Sequence, residues 1–185
     1  MTVLGLPRGG VPVARPGADA LGAELDVLVV RKLGVPWHEE LAMGAVASGG
    51  LRVLDPEVIA AAGVDSAEVE AVTDRERLAV ERGDAGFRAG RPPAHVRDRY
   101  VILVDDGLAT GSTMLAAVSA VRLAGPARVV VAVPVGSASA CELLATEADE
   151  LVCPLRPQPF VAVGAWYDDF RATSDDEVRR LLRGE

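Results

Sequence analysis

The stretch Val101-Ile102-Leu103-Val104-Asp105-Asp106-Gly107-Leu108-Ala109-Thr110-Gly111-Ser112-Thr113 holds the residues best suited to chemistry in this chain. Its apolar opening reads as a buried strand that delivers two adjacent carboxylates to its C-terminal end, where α/β sheets bind ligands. A turn of small and hydroxyl-bearing residues follows and opens a helix. Free amides at a helix start suit a phosphate; Gly111 permits close approach, and Thr110, Ser112 and Thr113 add hydroxyl donors beside Ala109. Asp105 and Asp106 would repel a phosphate, so they suit sugar hydroxyls or a hydrated magnesium ion. One acid suffices to cap a helix, which leaves the second without a purely structural task.

Positive charge is outnumbered by negative charge in this chain. Arg8 stands beside Gly9-Gly10 after one apolar run, and Arg31-Lys32 follow another. If those runs are parallel strands, all three residues lie on the sheet edge that carries Asp105. Arg8 and the glycine amides would then meet an oxyanion together. Solvation is the usual fate of Arg and Lys, and it is the strand-end placement that sets these three apart. Several other chemistries are excluded. Lys32 is the only lysine, so no Walker loop exists; GxGxxG follows no apolar run, and GxSxG is absent.

The 185 residues include 19 basic and 27 acidic side chains, for a net charge of −8, and half are hydrophobic. That size suits a single domain spanning residues 1–185 with a core that needs no staple. The acidic balance disfavours binding nucleic acid, which depends on many Lys and Arg. The longest apolar run, Val129 to Val135, is far short of a bilayer span, and the N-terminus lacks a signal pattern, so no membrane partner and a cytoplasmic location are expected. Cys141 and Cys153 form no CxxC pair, and His38 and His95 are the only histidines. Buried reduced thiols are expected in place of a disulfide or zinc site.

The elements that must position these residues alternate. Val3 to Leu6, Leu25 to Val30, Tyr100 to Val104, Val129 to Val133 and Leu151 to Cys153 are apolar on both faces, as strands of a covered parallel sheet must be. Ser112 to Ala124, stopped by Gly125-Pro126, and Ser137 to Ala145 read as helices. The order implies a doubly wound α/β fold. Gly44 to Ala47 and Leu51 to Leu54, around Ser48-Gly49-Gly50, predict an antiparallel hairpin added to that sheet. Asp55-Pro56 starts a short helix. Ser66 to about Arg82 predicts a charged helix with a thin apolar stripe, exposed or mobile. Gly83 to Arg99, with its glycines, Pro92-Pro93 and arginines, reads as a loop.

Val101 to Thr113 resembles the ribose-phosphate signature of the type I phosphoribosyltransferases. Leu6-Pro7-Arg8-Gly9-Gly10-Val11-Pro12 is similar to that family's pyrophosphate loop, and Val30-Arg31-Lys32-Leu33-Gly34 to the basic turn after its second strand. Pro159-Phe160-Val161-Ala162-Val163-Gly164 and Trp166-Tyr167-Asp168-Asp169-Phe170 look like the stretch entering the acceptor-binding hood. The likeness covers almost the whole chain and is strongest to bacterial phosphoribosyltransferases of unassigned acceptor. It implies transfer of a 5-phosphoribosyl group from phosphoribosyl pyrophosphate (PRPP) to a small nitrogenous acceptor, with Mg2+ as cofactor and a homodimer as one assembly. It also implies roles: Arg8, Lys32, Asp105 and Asp106 catalytic, the two aspartates holding Mg2+ through water. Gly9, Gly10, Arg31, Ala109, Thr110, Gly111, Ser112, Thr113, Phe160 and Trp166 would bind substrate. Residues 66–99 would form a lid and 155–172 the hood.

Some residues stay open between packing and function. Trp37, Trp166, Tyr167 and Phe170 could stack on a base, yet aromatic residues usually bury for packing alone. Asp168 and Asp169 are candidates to hydrogen-bond an acceptor, whereas Asp175-Asp176-Glu177 after Ser174 is an acidic helix start. Glu39 and Glu40 have no assigned task. The first strand begins two residues into the chain, where relatives have a preceding helix, so either the start is truncated or another element covers that edge. A PRPP- or nucleotide-binding regulator without transfer activity is the alternative function on the same fold. Ala109 stands where the hypoxanthine and guanine branch of the family carries a third carboxylate. No side chain of this loop can then act as general base.

Overall fold

The computed structural model describes residues 1–185. In chain order the elements are β1 (Thr2–Gly5), α1 (Gly10–Leu21), β2 (Glu24–Val27), β3 (Val30–Val35), β4 (His38–Ala47) and β5 (Leu51–Leu54). They continue with α2 (Pro56–Ala62), α3 (Ser66–Arg88), β6 (Tyr100–Val104), α4 (Ser112–Leu123), β7 (Arg128–Ala132), α5 (Ala138–Glu147), β8 (Glu150–Val152) and α6 (Asp175–Arg183). Caps mark several boundaries. Asp55 accepts from the amides of Glu57 and Val58 with Pro56 in the first helical position, Asp65 and Glu68 form a capping box, and Ser137 and Ser174 open α5 and α6.

Five strands form a parallel sheet in the order β2-β1-β6-β7-β8. The chain leaves β1 through α1 toward one side and leaves β6 through α4 toward the other, so the order reverses between β1 and β6. A crevice opens at such a point, outside the carboxyl ends of the strands. Helices α4 and α5 cover one face around Val101, Leu103, Val129, Val131, Met114 and Leu144. On the other face, α1 and α6 pack around Val3, Val11, Leu25, Val27 and Val178.

The region between β2 and β6 departs from the sequence reading. The run Leu25 to Val30 is not one strand: β2 ends at Val27, and a separate strand starts at Val30. Arg31 and Lys32 therefore lie within β3 and not in a turn after a parallel strand. The hairpin is not an extension of the parallel sheet either; β3, β4 and β5 form their own three-stranded antiparallel sheet. The apolar composition of 25–30 hides the break, because both sides of it are buried.

The charged helix is also longer and better anchored than its sequence suggests. It runs to Arg88, through Gly83 and Gly86, which in the sequence mark a loop. Each helical glycine costs about 1 kcal/mol relative to alanine. Offsetting this, Arg88 is buried and donates through Nε to both oxygens of Asp26 (3.1 and 3.0 Å) and through Nη2 to the Val27 carbonyl (2.8 Å), while Nη1 pairs with Asp84 (2.9 Å). Val69, Val72 and Val80 are buried against Leu33, Val35, Met43 and Val46 of the second sheet. Long-range partners invisible in the local pattern thus hold α3 against the second sheet and tie its last turn to β2 of the parallel sheet.

Candidate functional site

The loop after β1 and the loop after β6 meet at the crevice. Gly9 and Gly10 permit this approach, since a Cβ on Gly9 would lie 2.8 Å from Asp106 Cγ and one on Gly10 2.9 Å from Asp105 Cα. Gly10 is required by the backbone of Val104 and Asp105, whereas a side chain at Gly9 would force the Asp106 carboxylate out of its place. The Pro7–Arg8 peptide is cis. The Arg8 side chain is half exposed, and its Nη1 lies 3.3 Å from Asp175 Oδ1 at the start of α6.

Asp105 is largely withdrawn from solvent. Burial, reinforced by the neighbouring charge of Asp106, pushes its carboxyl up to about 7, although the Asp106 amide donates to Asp105 Oδ1 at 2.9 Å. Burial also raises Asp106. No basic side chain forms an ion pair with either carboxylate. Two adjacent carboxylates at a strand end without cationic partners are suited to hydroxyl donors or a hydrated cation. A cluster of three or more acids, His or Cys that could cage a metal is absent, so a magnesium ion here would take most of its ligands from water and substrate oxygens.

The turn between β6 and α4 is braced from behind. The Leu108 amide donates to the Val135 carbonyl at 2.9 Å, the Ser137 amide to Leu108 at 2.8 Å, and Ser137 Oγ to the Ala109 carbonyl at 2.7 Å. Gly111 adopts φ +77°, and a Cβ there would lie 2.8 Å from Leu144 of α5. Both facts demand glycine. Thr110 Oγ1 and Ser112 Oγ sit 3.1 Å apart, while Ala109, Thr110 and Thr113 are exposed at the rim. The amides that open α4 have no intrahelical acceptor, so this braced turn presents several donors to one small anion.

The second sheet turns Lys32 and Arg31 to opposite faces, although both reach the cleft beside Thr113. Successive strand residues point to opposite faces. Lys32 lines a cleft of about 460 Å³ between the second sheet and α4, with Glu40, Asp55, Thr110 and Ser112. Arg31 turns toward α3, where its Nε donates to Glu76 Oε2 at 3.0 Å. It lines a second cleft, of about 320 Å³, with Arg75, Glu39 and Thr113. Neither cleft is lined by Asp105 or Asp106. Arg31 and Lys32 thus come to the phosphate-suited turn from β3 of the second sheet, four and five residues beyond the end of β2, and not from a turn of the parallel sheet.

The segment following β8 folds over the crevice. A single 3-10 turn spans Val163–Trp166, and Val163 abuts Gly107, where a Cβ would lie 2.7 Å from Val163 Cγ1. Phe160 is half-buried and Trp166 exposed. Tyr167, read from the sequence only as a residue that could stack on a base, donates its hydroxyl to the Asp106 carbonyl at 2.6 Å. Burial and the charges of Asp106 and Asp105 push this phenol up to about 12, so it stays a donor. Its ring also packs at 5.2 Å from that of Phe170. Asp168 and Asp169 are exposed, and Trp37 stands exposed at the β3–β4 hairpin tip. Only aromatic residue type could have flagged Tyr167, and Asp175 reads from sequence as a helix start alone.

The phosphoribosyl transferase domain family matches residues 1–164. The chain belongs to that family. Two curated relatives from Mycobacterium tuberculosis, "Putative phosphoribosyl transferase MT0597" and "Putative phosphoribosyl transferase Rv0571c", are each 47% identical over 182 residues. Those matches cover 98% of this chain and 41% of each relative, so the chain spans about two fifths of their length. The crystal structure of TT1426 from Thermus thermophilus is 48% identical, with a TM-score of 0.91 over 98% of this chain and 86% of that one. No helix here is long and apolar enough to cross a membrane.

Proposed function

We propose that the protein transfers a 5-phosphoribosyl group from PRPP to a small nitrogenous acceptor and releases pyrophosphate, with Mg2+ as cofactor. The observation that carries this reading is the contact of Gly9-Gly10 with Asp105 and Asp106 at the switch point between β1 and β6. It sets a loop suited to an oxyanion against a carboxylate pair suited to ribose, next to a turn suited to a phosphate.

In the reaction the bond from the anomeric carbon to pyrophosphate breaks, and the leaving group departs with the electron pair. A bond from the acceptor nitrogen to that carbon forms, and the nitrogen gives up its proton. Ala109, Thr110, Gly111, Ser112 and Thr113 cradle the 5′-phosphate with amides and hydroxyls. Asp105 and Asp106 accept from the ribose hydroxyls and orient the ring. Arg8 and the amides at Gly9 and Gly10 meet the negative charge that develops on the leaving group. Lys32, which shares one cleft with Thr110 and Ser112 and another with Arg31 and Thr113, joins Arg8 in receiving the pyrophosphate. Asp105 and Asp106 would also hold Mg2+ through water, where it would neutralise pyrophosphate. Phe160 and Trp166 would form the acceptor side beneath the hood, and Tyr167 ties that hood to the carboxylate strand end.

Isotope exchange between pyrophosphate and PRPP, run with a panel of bases and amines, tests the transfer. Calorimetry with PRPP and Mg2+ tests the site: replacing both Asp105 and Asp106 by Asn should weaken binding at least about tenfold, since a charged hydrogen bond contributes about 1.5–3 kcal/mol. Unchanged affinity would refute the assignment. Binding without exchange under any acceptor would instead mark a PRPP-binding regulator.

A further inference from the structure

Glu76 lies in the middle of α3 and is buried, an uncommon position for a glutamate. Two guanidinium groups share its carboxylate: Arg31 Nε donates to Oε2 at 3.0 Å and Arg75 Nε to Oε1 at 2.9 Å. Burial alone would raise its carboxyl, but these two hydrogen bonds outweigh it and hold Glu76 below the ordinary range. The carboxylate engages each arginine through Nε. Both side chains stay more than half exposed, and the Nη groups have no hydrogen-bond partner in the protein. They border the cleft that also holds Lys32 and Thr113, the last residue of the proposed phosphate turn.

Three cations (Arg31, Lys32, Arg75) and three carboxylates (Glu39, Glu40, Glu76) line this cleft, which gives it no net charge. Such a site cannot draw an anion by its overall field. Recognition must come from the direction of its donors, and the planar guanidinium fork supplies that direction when it is held still.

We propose that Glu76 is a positioning residue that holds Arg31 and Arg75 as paired donors for a multiply charged phosphate group in the cleft beside Thr113. This deepens the transfer reading and rests on it where the phosphate group is the pyrophosphoryl end of PRPP; a free inorganic anion is the other source of the same chemistry. Arg75, which the sequence alone presents as part of a solvated helix face, becomes a binding residue. Helix α3 then acts as the rigid back of the cleft.

The test is calorimetry of inorganic pyrophosphate, PRPP and ribose 5-phosphate with the full chain as wild type, Glu76→Gln, Arg31→Ala, the double variant and the exposed Arg75→Ala. Pyrophosphate affinity is expected to fall about tenfold in Glu76→Gln and in Arg31→Ala, and the double variant should lose less than the product of the two, because Glu76 acts partly through Arg31 and partly through Arg75. Arg75→Ala, a truncation of an exposed side chain, should lose several-fold. Ribose 5-phosphate should bind all variants alike if the group is the pyrophosphoryl end, and weaken with pyrophosphate if any phosphate is taken. Equal pyrophosphate affinity in wild type and Arg75→Ala, or in wild type and a folded Glu76→Gln, overturns the proposal, as does a wild type that binds no pyrophosphate. If wild type fails to bind PRPP but binds pyrophosphate in a Glu76-dependent way, the transfer reading falls and the positioning role stands.

Discussion

Replacing Asp105 by Asn should make the protein more stable at neutral pH while it impairs the site. In the folded chain the Asp105 carboxyl is pushed up to about 7, first by burial and then by Asp106, against an ordinary value of 3.8. The folded state therefore holds this proton more tightly than the unfolded chain does. Stability from this group is complete below about pH 4 and is lost as pH rises to about 7, a difference of roughly three units and about 4 kcal/mol. Water entering an open crevice relaxes the field, so about 2 kcal/mol is the expected effect. Asn keeps an oxygen to accept the Asp106 amide and carries no charge. Urea unfolding of both proteins from pH 4.5 to 8 checks this: the two should be nearly equal at the acid end, with the Asn variant ahead by about 2 kcal/mol at pH 8. A difference that stays flat with pH, or an Asn variant less stable at pH 8, would refute the reasoning. The cost fits a site whose charge is offset by ligand.

Lys32→Ala and Arg8→Ala should each slow transfer while largely sparing ribose 5-phosphate binding, because both face the leaving pyrophosphate and not the 5′-phosphate; calorimetry and steady-state rates separate the two effects. Arg88→Ala should cost about 3–5 kcal/mol in urea unfolding by leaving buried Asp26 without its partner. The 6-oxopurines hypoxanthine and guanine should be poor acceptors in steady-state assays, since Ala109 presents no base; brisk turnover of either would overturn that inference.

The sequence alone determined the parallel sheet, the two carboxylates at the end of its central strand and the phosphate-suited turn, since each is a local pattern. An apolar run, adjacent acids and a glycine among hydroxyl residues depend on neighbours a few positions away, and strand order then carries them to one edge. The glycines of the first loop were also legible, although their reason was not: contact with Asp105 and Asp106 joins residues almost a hundred positions apart. Only the tertiary structure decided where Arg31 and Lys32 go, because a buried break between β2 and β3 looks in sequence like one continuous strand. It also decided the length of α3, where Asp26 and Asp84 receive Arg88 beyond two glycines. The hydrogen-bonding roles of Tyr167 and Glu76 lay beyond sequence reasoning for the same physical reason. Their hydrogen-bond partners, Asp106 and Arg31, come from distant segments, and no periodicity in the chain encodes a partner that only folding brings within 3 Å.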